Sequence, residues 1–332
     1  MANSISVVIP VYNARPFLRQ AVGSVLEERD RLCDIVLVDD GSTDGSGDIC
    51  DQLRRECDRI KVIHQENAGQ HIARLNGACA AGGEYVMFLD SDDFFVNHPL
   101  AELNRLIETW APDVVLFNMS YSPAGDKPIH SYTLSEGLLE AKELEHVKEL
   151  LLTTDRMNHL CTKLYKRDIV IRQFGKRIND QIRIGEDLVQ NLYIFGHVSR
   201  VCYTPKIFYY YRQQETSITH THAFDYSEAE YVYRCRVEAM DAWEKTELLP
   251  IIQRNFIKRV SYNIVNSVSN GIGHTQKIAS AIKESVVFDD CFRAVKKDVS
   301  AKTRAVIFLI KDTPVSFAYP ILRIAGMHSG DG

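Results

Sequence analysis

The sequence predicts an α/β protein, with an open, mostly parallel sheet flanked by helices and a helical C-terminal extension. Short apolar runs rich in β-branched residues alternate with segments of helical apolar spacing, at intervals of about 30 residues. After about residue 220 long amphipathic helices replace this alternation. Parallel sheets of this kind bind ligands beyond the carboxyl ends of their strands, so the residues that follow the apolar runs are candidate site residues.

Each element follows from its own pattern. The predicted strands of the first ninety residues are nearly continuous apolar runs, at 5–11, 34–38, 61–64 and 84–89. Helical spacing predicts helices between them, at about 16–26, 46–57 and 69–80. Further along we expect a strand at 114–117, a loop or hairpin at 121–135, and helices at 138–152, 223–248 and 251–269.

Composition narrows the class of protein. The chain has 332 residues, 45% of them hydrophobic, which suffices for one large domain or two modest ones. It carries 39 Lys and Arg against 44 Asp and Glu. Binding to nucleic-acid phosphates needs clustered positive charge, so we expect no nucleic-acid partner. The charge is uneven, with 10 basic and 18 acidic residues in 1–110 but six basic and two acidic in 294–327.

The absence of targeting signals and the scatter of the cysteines predict a cytoplasmic protein. The opening residues MANS have no basic start and no cleavage site, and no stretch of 18 apolar residues occurs. Neither a secretory signal nor a spanning helix is therefore predicted. The eight cysteines are scattered without a C-x-x-C pair, which favours reduced thiols over a zinc site or disulfides.

Carboxylates follow two of the predicted strands. Asp39 ends the second strand, and Asp90 and Asp92 follow the fourth. Two residues apart on a continuing strand, Asp90 and Asp92 would face the same side and repel each other. The pattern predicts Mg²⁺ or Mn²⁺ held by these oxygens and by ligand phosphates. The alternative is an acidic loop in which Asp92 or Asp93 caps the next turn.

Residues 39–45 (DDGSTDG) have the composition of a tight turn. We interpret Asp39 as a ligand-binding residue and 40–44 as turn and helix-cap residues. A dinucleotide-binding fold is disfavoured, because no G-x-G-x-x-G follows the first strand.

Together these residues resemble the inverting glycosyltransferases of family 2, in the branch that makes bacterial exopolysaccharide, capsule and lipopolysaccharide. Five motifs occur in the family's order and spacing within about residues 4–95, at 6–13 (SVVIPVYN), 38–44 (VDDGSTD), 66–69 (ENAG), 73–77 (ARLNG) and 88–93 (FLDSDD). The resemblance implies a GT-A domain at 1–220, with a nucleotide-binding half at about 1–110 and an acceptor half at about 111–220, and a helical region at 221–332. It also implies a nucleoside-diphosphate-sugar donor and a divalent cation, Mn²⁺ or Mg²⁺.

The resemblance also assigns roles to individual residues. The implied donor-binding residues of the first half are Pro10, Val11, Tyr12, Asp39, Arg74, Asp90 and Ser91. The turn at 10–12 and Asp39 would hold the nucleoside, Asp90 would contact ribose or sugar, and Asp92 would ligate the metal. Arg74 would lie near the nucleotide. Leu75 stands where the family often has a direct Arg-Asn pair, which leaves the role of Arg74 open.

Two later motifs extend the resemblance. Residues 163–167 (KLYKR) are similar to a stretch of the polysaccharide branch and imply that Lys163 contacts the donor phosphates; the alternative is a surface-exposed basic turn. Residues 185–188 (GEDL) resemble the family's E-D motif, whose Asp is the general base. Asp187 would then take the proton of the acceptor hydroxyl. The alternative is a helix N-cap.

An aromatic motif at 208–212 (FYYYR) and the following 217–220 (SITH) also resemble that branch. Arg212 would pair with the diphosphate, and His220 or His222 would offer an imidazole to the metal. The alternative for both histidines is a solvated loop.

The implied reaction is single displacement with inversion, onto a hydroxyl of a glycan or lipid-linked acceptor in cell-surface polysaccharide synthesis. Two other classes stay open: a phosphotransferase with Asp90 as nucleophile, and a non-catalytic scaffold of the same fold.

The tail at 303–327 intersperses apolar clusters with basic residues. One interpretation is a peripheral contact with the inner face of the membrane, beside a lipid-linked acceptor. The other is packing on the body of the protein or self-association with a second subunit.

Overall fold

The computed structural model describes residues 5–173, 182–213 and 223–327, and it confirms the predicted α/β class. Within these residues the chain divides into two compact units. We call them the sheet unit (5–151, 155–173 and 186–213) and the helical unit (152–154, 182–185 and 223–327). The domain boundary predicted near residue 220 lies outside the described residues.

The described part of the sheet unit contains one sheet of nine strands. They are β1 Ile5–Val11, β2 Asp34–Asp39, β3 Ile60–His64, β4 Tyr85–Phe88, β5 Phe94–Phe95, β6 Val114–Ser120, β7 Gly137–Leu138, β8 Lys163–Lys166 and β9 Val201–Tyr210. The helices of this unit are α1 Leu18–Leu26, α2 Ser46–Glu56, α3 Gln70–Ala80, α4 Pro99–Trp110, α5 Ala141–Thr153, α6 Arg167–Gln173 and α7 Glu186–Phe195.

The sheet is parallel in its first half and mixed in its second. The strand order is β3-β2-β1-β4-β8-β6-β9-β5, with β7 paired to β9. Strands β3, β2, β1 and β4 run parallel. Strand β8 is antiparallel to both β4 and β6, while β6 and β9 are parallel to each other. The carboxyl ends of β2, β1 and β4 therefore meet at one edge of the sheet, which is the edge that carries the site.

Burial explains why these runs form strands. Every residue of β1, β2, β4 and β6 is buried, as expected for strands covered on both faces. Helix α3 packs closely on β1, because Gly77 leaves no room for a Cβ against the side chain of Val8. This close approach fixes the position of α3, which carries Arg74, against β1.

The helical unit contains six described helices, α8 Tyr226–Ala242, α9 Leu249–Ser267, α10 Ile272–Glu284, α11 Val286–Val295, α12 Ala301–Asp312 and α13 Val315–Met327. Side chains of Asp225, Ser285 and Ser300 cap α8, α11 and α12. The apolar faces share one core that includes Phe256, Ile264, Phe288, Ile307 and Leu322. The tail thus packs within this unit. Among the described helices, none combines the length and the apolarity needed to cross a bilayer.

Candidate functional site

The end of β1 forms the floor of the predicted nucleoside site. Pro10 and Val11 are buried in the strand, whereas Tyr12 just beyond it is 53% exposed. Val11 is in register with Asp39 at the end of the neighbouring β2. The structure therefore brings together the four residues that the sequence predicted for the nucleoside, with the aromatic ring of Tyr12 accessible.

Asp39 is paired with a histidine that the sequence analysis missed. One carboxylate oxygen accepts the N–H of Ser42 at 3.0 Å, and the other lies 2.8 Å from Nδ1 of His64. The hydrogen bond to Asp39 raises the pKa of His64. The parallel pairing of β2 with β3 places Asp39 opposite His64. Each residue ends a strand predicted from the sequence, and this shared position was the signal from which the pair could have been found.

Asp40 is structural, as its turn composition predicted. Its carboxylate accepts the side-chain amide of Gln65 at 2.7 Å and the backbone N–H groups of Ala68 and Gly69 at 2.8 and 2.9 Å. The residue holds the loop that leads into α3.

Arg74 lies at the centre of the site. Its side chain is 2% exposed and donates to Asp90 at 2.7 Å and to Asp187 at 2.6 Å. Burial by itself would lower the pKa of Arg74, but the carboxylates of Asp187 and Asp90 outweigh it and raise the pKa well above its ordinary value. Arg74 therefore links the predicted general base to a predicted donor-binding residue.

The carboxylates after β4 lie on a turn. The strand ends at Phe88, and the N–H of Asp93 donates to the carbonyl of Asp90 at 3.0 Å. The expectation that Asp90 and Asp92 share one face of a continuing strand is therefore wrong. Instead Asp90 points to Arg74 and to the amide of Gln70, at 2.8 Å, and Ser91 is buried within the turn.

Negative charge accumulates in this turn. Burial and the charge of Asp90 raise the pKa of Asp92 to about 6. Burial and the charges of Asp92 and Asp90 raise the pKa of Asp93 to about 8. The hydroxyl of Tyr209, on β9, donates to Asp93 at 2.6 Å and accepts the N–H of Asp90 at 3.2 Å. Tyr209 thus fixes the turn, a role that its place in the aromatic motif did not reveal.

Arg212 is adjacent to the same turn. Its backbone N–H donates to the carboxylate of Asp93 at 2.7 Å, and its Nε donates to the carbonyl of Asp92 at 2.8 Å. The guanidinium also donates to Gln20 at 2.7 Å and lies 4.9 Å from the ring centroid of Phe17. The structure brings this predicted phosphate-binding cation to the predicted metal-binding residue.

Asp187 lies in the first turn of α7. Its two carboxylate oxygens accept Arg74 and the N–H of Leu160, the latter at 3.2 Å. Neither partner belongs to α7, so the helix N-cap interpretation is wrong. The half-buried Glu186 precedes it, and burial together with the charge of Asp187 raises the pKa of Glu186.

Lys163 is buried, so the alternative of a surface-exposed basic turn is wrong. Its ammonium donates to the carbonyls of Met157 and His159, at 2.8 and 2.6 Å. Burial lowers its pKa to about 8. These bonds hold the segment just before Leu160, whose N–H binds Asp187. A donor-phosphate contact by Lys163 stays a prediction, and the structure adds a positioning role.

His220, the second residue predicted to bind the metal, lies outside the described residues, as does His222. Within 5–173, 182–213 and 223–327, no group of three or more His, Cys, Asp or Glu side chains is arranged to hold a metal ion. Asp92 remains the carboxylate predicted to contact the metal.

The sheet and its carboxylate edge define a GT-A fold. The crystal structure of Staphylococcus aureus TarS 1–349 in complex with UDP-GlcNAc is similar, with a TM-score of 0.65 over 93% of this chain and 90% of that one, at 19% identity. The mannosyltransferase PcManGT of Pyrobaculum calidifontis, in complex with GDP-Man and Mn²⁺, has a TM-score of 0.52 over 99% and 88% of the two chains, at 14% identity.

The chain belongs to glycosyl transferase family 2, whose family model matches residues 6–174. The glycosyltransferase GlyG of Streptococcus pneumoniae is 30% identical over 237 residues, which is 68% of this chain and 76% of GlyG. GlyA of the same organism is 31% identical over 224 residues, 65% of this chain. The match spans about a third of GlyA, 32% of its length. These findings confirm the family that the five motifs indicated.

Proposed function

We propose that the protein transfers a sugar, with inversion and with the help of Mn²⁺ or Mg²⁺, from a nucleoside-diphosphate sugar to a hydroxyl of a glycan or lipid-linked acceptor. One observation carries the proposal. Arg74 bonds both to Asp187, the residue in the position of the family's general base, and to Asp90 beside the predicted metal contact. A single displacement requires a base close to the bound donor. Arg74 supplies this arrangement by holding Asp187 and Asp90 together.

Asp187 takes the acceptor's hydroxyl proton as the hydroxyl oxygen attacks the anomeric carbon. The new carbon–oxygen bond forms as the bond from that carbon to the diphosphate breaks on the opposite face, and the nucleoside diphosphate leaves with the electron pair. Arg74 and the N–H of Leu160 each occupy one oxygen of Asp187. A carboxylate has about four acceptor sites, so a hydroxyl can still bind, and the two fixed donors keep the carboxylate oriented.

The donor would lie along the sheet edge. Tyr12 and the 10–12 turn would contact the nucleoside together with Asp39. Asp90 would contact the ribose or sugar, with Ser91 as a neighbouring donor-binding residue. Arg212 would pair with the diphosphate. The exposed ring of Tyr12 and the contacts of Arg212 with the turn of Asp92 and Asp93 support this arrangement.

A divalent ion fits the donor set in chemistry. Burial and the charge of Asp90 raise the pKa of Asp92, so a cation at this carboxylate would offset the repulsion. Hard ions accept carboxylate, phosphate and water oxygens, and donor phosphates would supply ligands in addition to Asp92. The ion would neutralise charge on the departing diphosphate. The Mn²⁺ found with PcManGT supports this part of the proposal.

A donor screen tests the function. The full chain is incubated with each common nucleoside-diphosphate sugar, with Mn²⁺ or Mg²⁺ or with chelator, and free nucleoside diphosphate is measured. We expect metal-dependent release with one donor, and product of inverted anomeric configuration by NMR. No release with any donor, or binding of a donor without turnover as in a scaffold, would overturn the proposal. Labelled protein phosphate formed from a nucleoside triphosphate would favour the phosphotransferase with Asp90 as nucleophile.

The proposal includes a peripheral contact with the inner face of the membrane, supported by the last two helices. Four large apolar side chains there are more than half exposed: Phe308, Phe317, Ile321 and Ile324. The last three recur at i, i+4 and i+7, so they share one face of α13. The excess of basic residues around them is complementary to an anionic bilayer surface. We therefore propose that this face of α13 contacts a lipid bilayer, and self-association is the competing outcome.

A further inference from the structure

A pocket of about 410 Å³ lies within the helical unit, and its wall contains none of the residues of the proposed reaction. Its wall includes Ile184, the start of α8 and the second half of α9. The volume falls in the range of pockets that bind small molecules. The family motifs that were identified all lie before residue 221, so the function proposed above does not use this pocket.

One face of α9 supplies much of the wall. Arg259, Tyr262, Asn263 and Asn266 stand at i, i+3, i+4 and i+7 and all line the pocket. The core of the unit is filled by other residues of the helix, such as Phe256 and Ile264. The helix therefore has a second face that is polar, carries an aromatic ring and borders a cavity.

Several groups on this wall have unused hydrogen-bonding capacity. Within the described part of the chain, no hydrogen bond is made by the Tyr262 hydroxyl or by the side-chain amides of Asn266 and Asn270. Tyr262 is 65% exposed. A concave site that presents an aromatic ring and two unused amides is suited to a ligand with both apolar faces and many hydroxyls.

The charge of the wall selects among such ligands. Among the described residues that line the pocket there are two carboxylates, Asp225 and Glu228, and one guanidinium, Arg259. A phosphate or another anion would meet an excess of negative charge. An uncharged saccharide is not repelled, and its hydroxyls can donate to carboxylates and accept from amides.

We infer that this pocket binds one or two sugar units of an uncharged glycan. The inference rests on the proposed function in one respect, since a glycan is the class of acceptor proposed above.

Saturation-transfer NMR on the full chain without donor tests the inference, with maltose, cellobiose and N,N′-diacetylchitobiose as probes and inorganic phosphate in parallel. We expect saturation of at least one disaccharide, and about fivefold weaker binding in Tyr262→Ala and in Asn266→Ala, the scale of one lost ring or hydrogen-bond contact. Phe317→Ala is the matched control, since Phe317 is an exposed aromatic residue of the same unit outside the pocket.

The inference is overturned if no disaccharide is saturated, or if phosphate alone binds. It is also overturned if both pocket variants bind as tightly as wild type, or if Phe317→Ala weakens binding as much as they do. Because donor is absent, these results leave the proposed transfer untouched. Conversely, a donor screen without nucleoside-diphosphate release would remove the transfer reaction while disaccharide binding by the pocket could still be measured.

Discussion

Arg74 and Asp187 form a partly buried ion pair at 2.6 Å although they lie 113 positions apart along the chain. Arg74 belongs to the parallel half of the sheet unit and Asp187 to the first turn of α7. The second bond of the guanidinium, to Asp90, makes the pair part of a network that joins the predicted base to the donor side.

Removing the charge of Asp187 tests the base. Asp187→Asn preserves the size of the side chain but cannot accept the acceptor's proton, so the rate of transfer falls by about 100- to 10,000-fold. Donor affinity, measured by calorimetry, stays unchanged. Asp298→Asn, a substitution of an exposed aspartate in the helical unit, is the control and keeps full activity. Transfer by Asp187→Asn at the wild-type rate would show that the base is another group.

Removing Arg74 tests the network. Arg74→Met leaves two carboxylates without their shared cation, and breaking a buried pair costs about 3–5 kcal/mol in the free energy of unfolding. Transfer is lost as well, since Asp187 is no longer oriented. The control is Arg105→Met, which breaks a solvent-exposed pair with Glu102 and costs about 0–1 kcal/mol. Equal stability losses in urea unfolding of the two variants would contradict the network.

His64 gives the stability a specific pH dependence. The hydrogen bond to Asp39 raises the pKa of His64 above its ordinary value of 6.5, so the protonated imidazole stabilises the folded state. This contribution is complete below about pH 6.5 and disappears as the pH rises through the folded-state pKa. His64→Gln should therefore be less stable than wild type in acid, with the difference shrinking in alkali.

Urea unfolding of wild type and His64→Gln over this pH range measures the effect. His98→Gln is the matched control, because His98 is an exposed histidine that lies 3.8 Å from the exposed carboxylate of Glu27. A stability difference for His64→Gln that is constant with pH would contradict the assigned pair.

Lys163 can be tested for its two roles separately. Lys163→Met leaves the carbonyls of Met157 and His159 without their donor, a cost of about 1–3 kcal/mol for each buried group. If the residue positions the segment before Leu160, turnover falls while donor affinity is retained. Lys166→Met, which removes a half-exposed lysine of the same strand, should change neither. Loss of donor affinity with turnover at saturating donor intact would instead support the phosphate contact.

The exposed apolar face of α13 predicts vesicle binding. The triple variant Phe317→Ser, Ile321→Ser, Ile324→Ser should pellet with anionic vesicles at least about tenfold less than wild type, since each buried CH₂ contributes about 0.8 kcal/mol. Val286→Ser, at another exposed apolar position of the helical unit, should pellet normally. Membrane contact would be contradicted if the triple variant pelleted as wild type does. It would also be contradicted if light scattering showed a loss of dimers instead of a loss of pelleting.

Local patterns predicted the parallel half of the sheet well. Strand β1 covers the predicted 5–11, and β2 and β3 begin and end within a residue of the prediction, because a strand buried on both faces must be apolar throughout. The two-residue strands β5 and β7 were missed, since two residues cannot display a period. The reversal at β8 was missed as well, because strand direction depends on the partner strands and not on the strand's own residues.

The sequence by itself determined the family, the parallel strands and the set of carboxylates at their ends, because motif order and hydrophobic periodicity are local properties of the chain. Only the tertiary structure decided what those carboxylates contact. In the structure Asp39 is paired with His64, and the buried ammonium of Lys163 donates to two carbonyls. Arg74 lies between Asp90 and Asp187. Such pairings arise when distant segments meet at one sheet edge and buried charges must find partners there, a requirement that no single segment encodes.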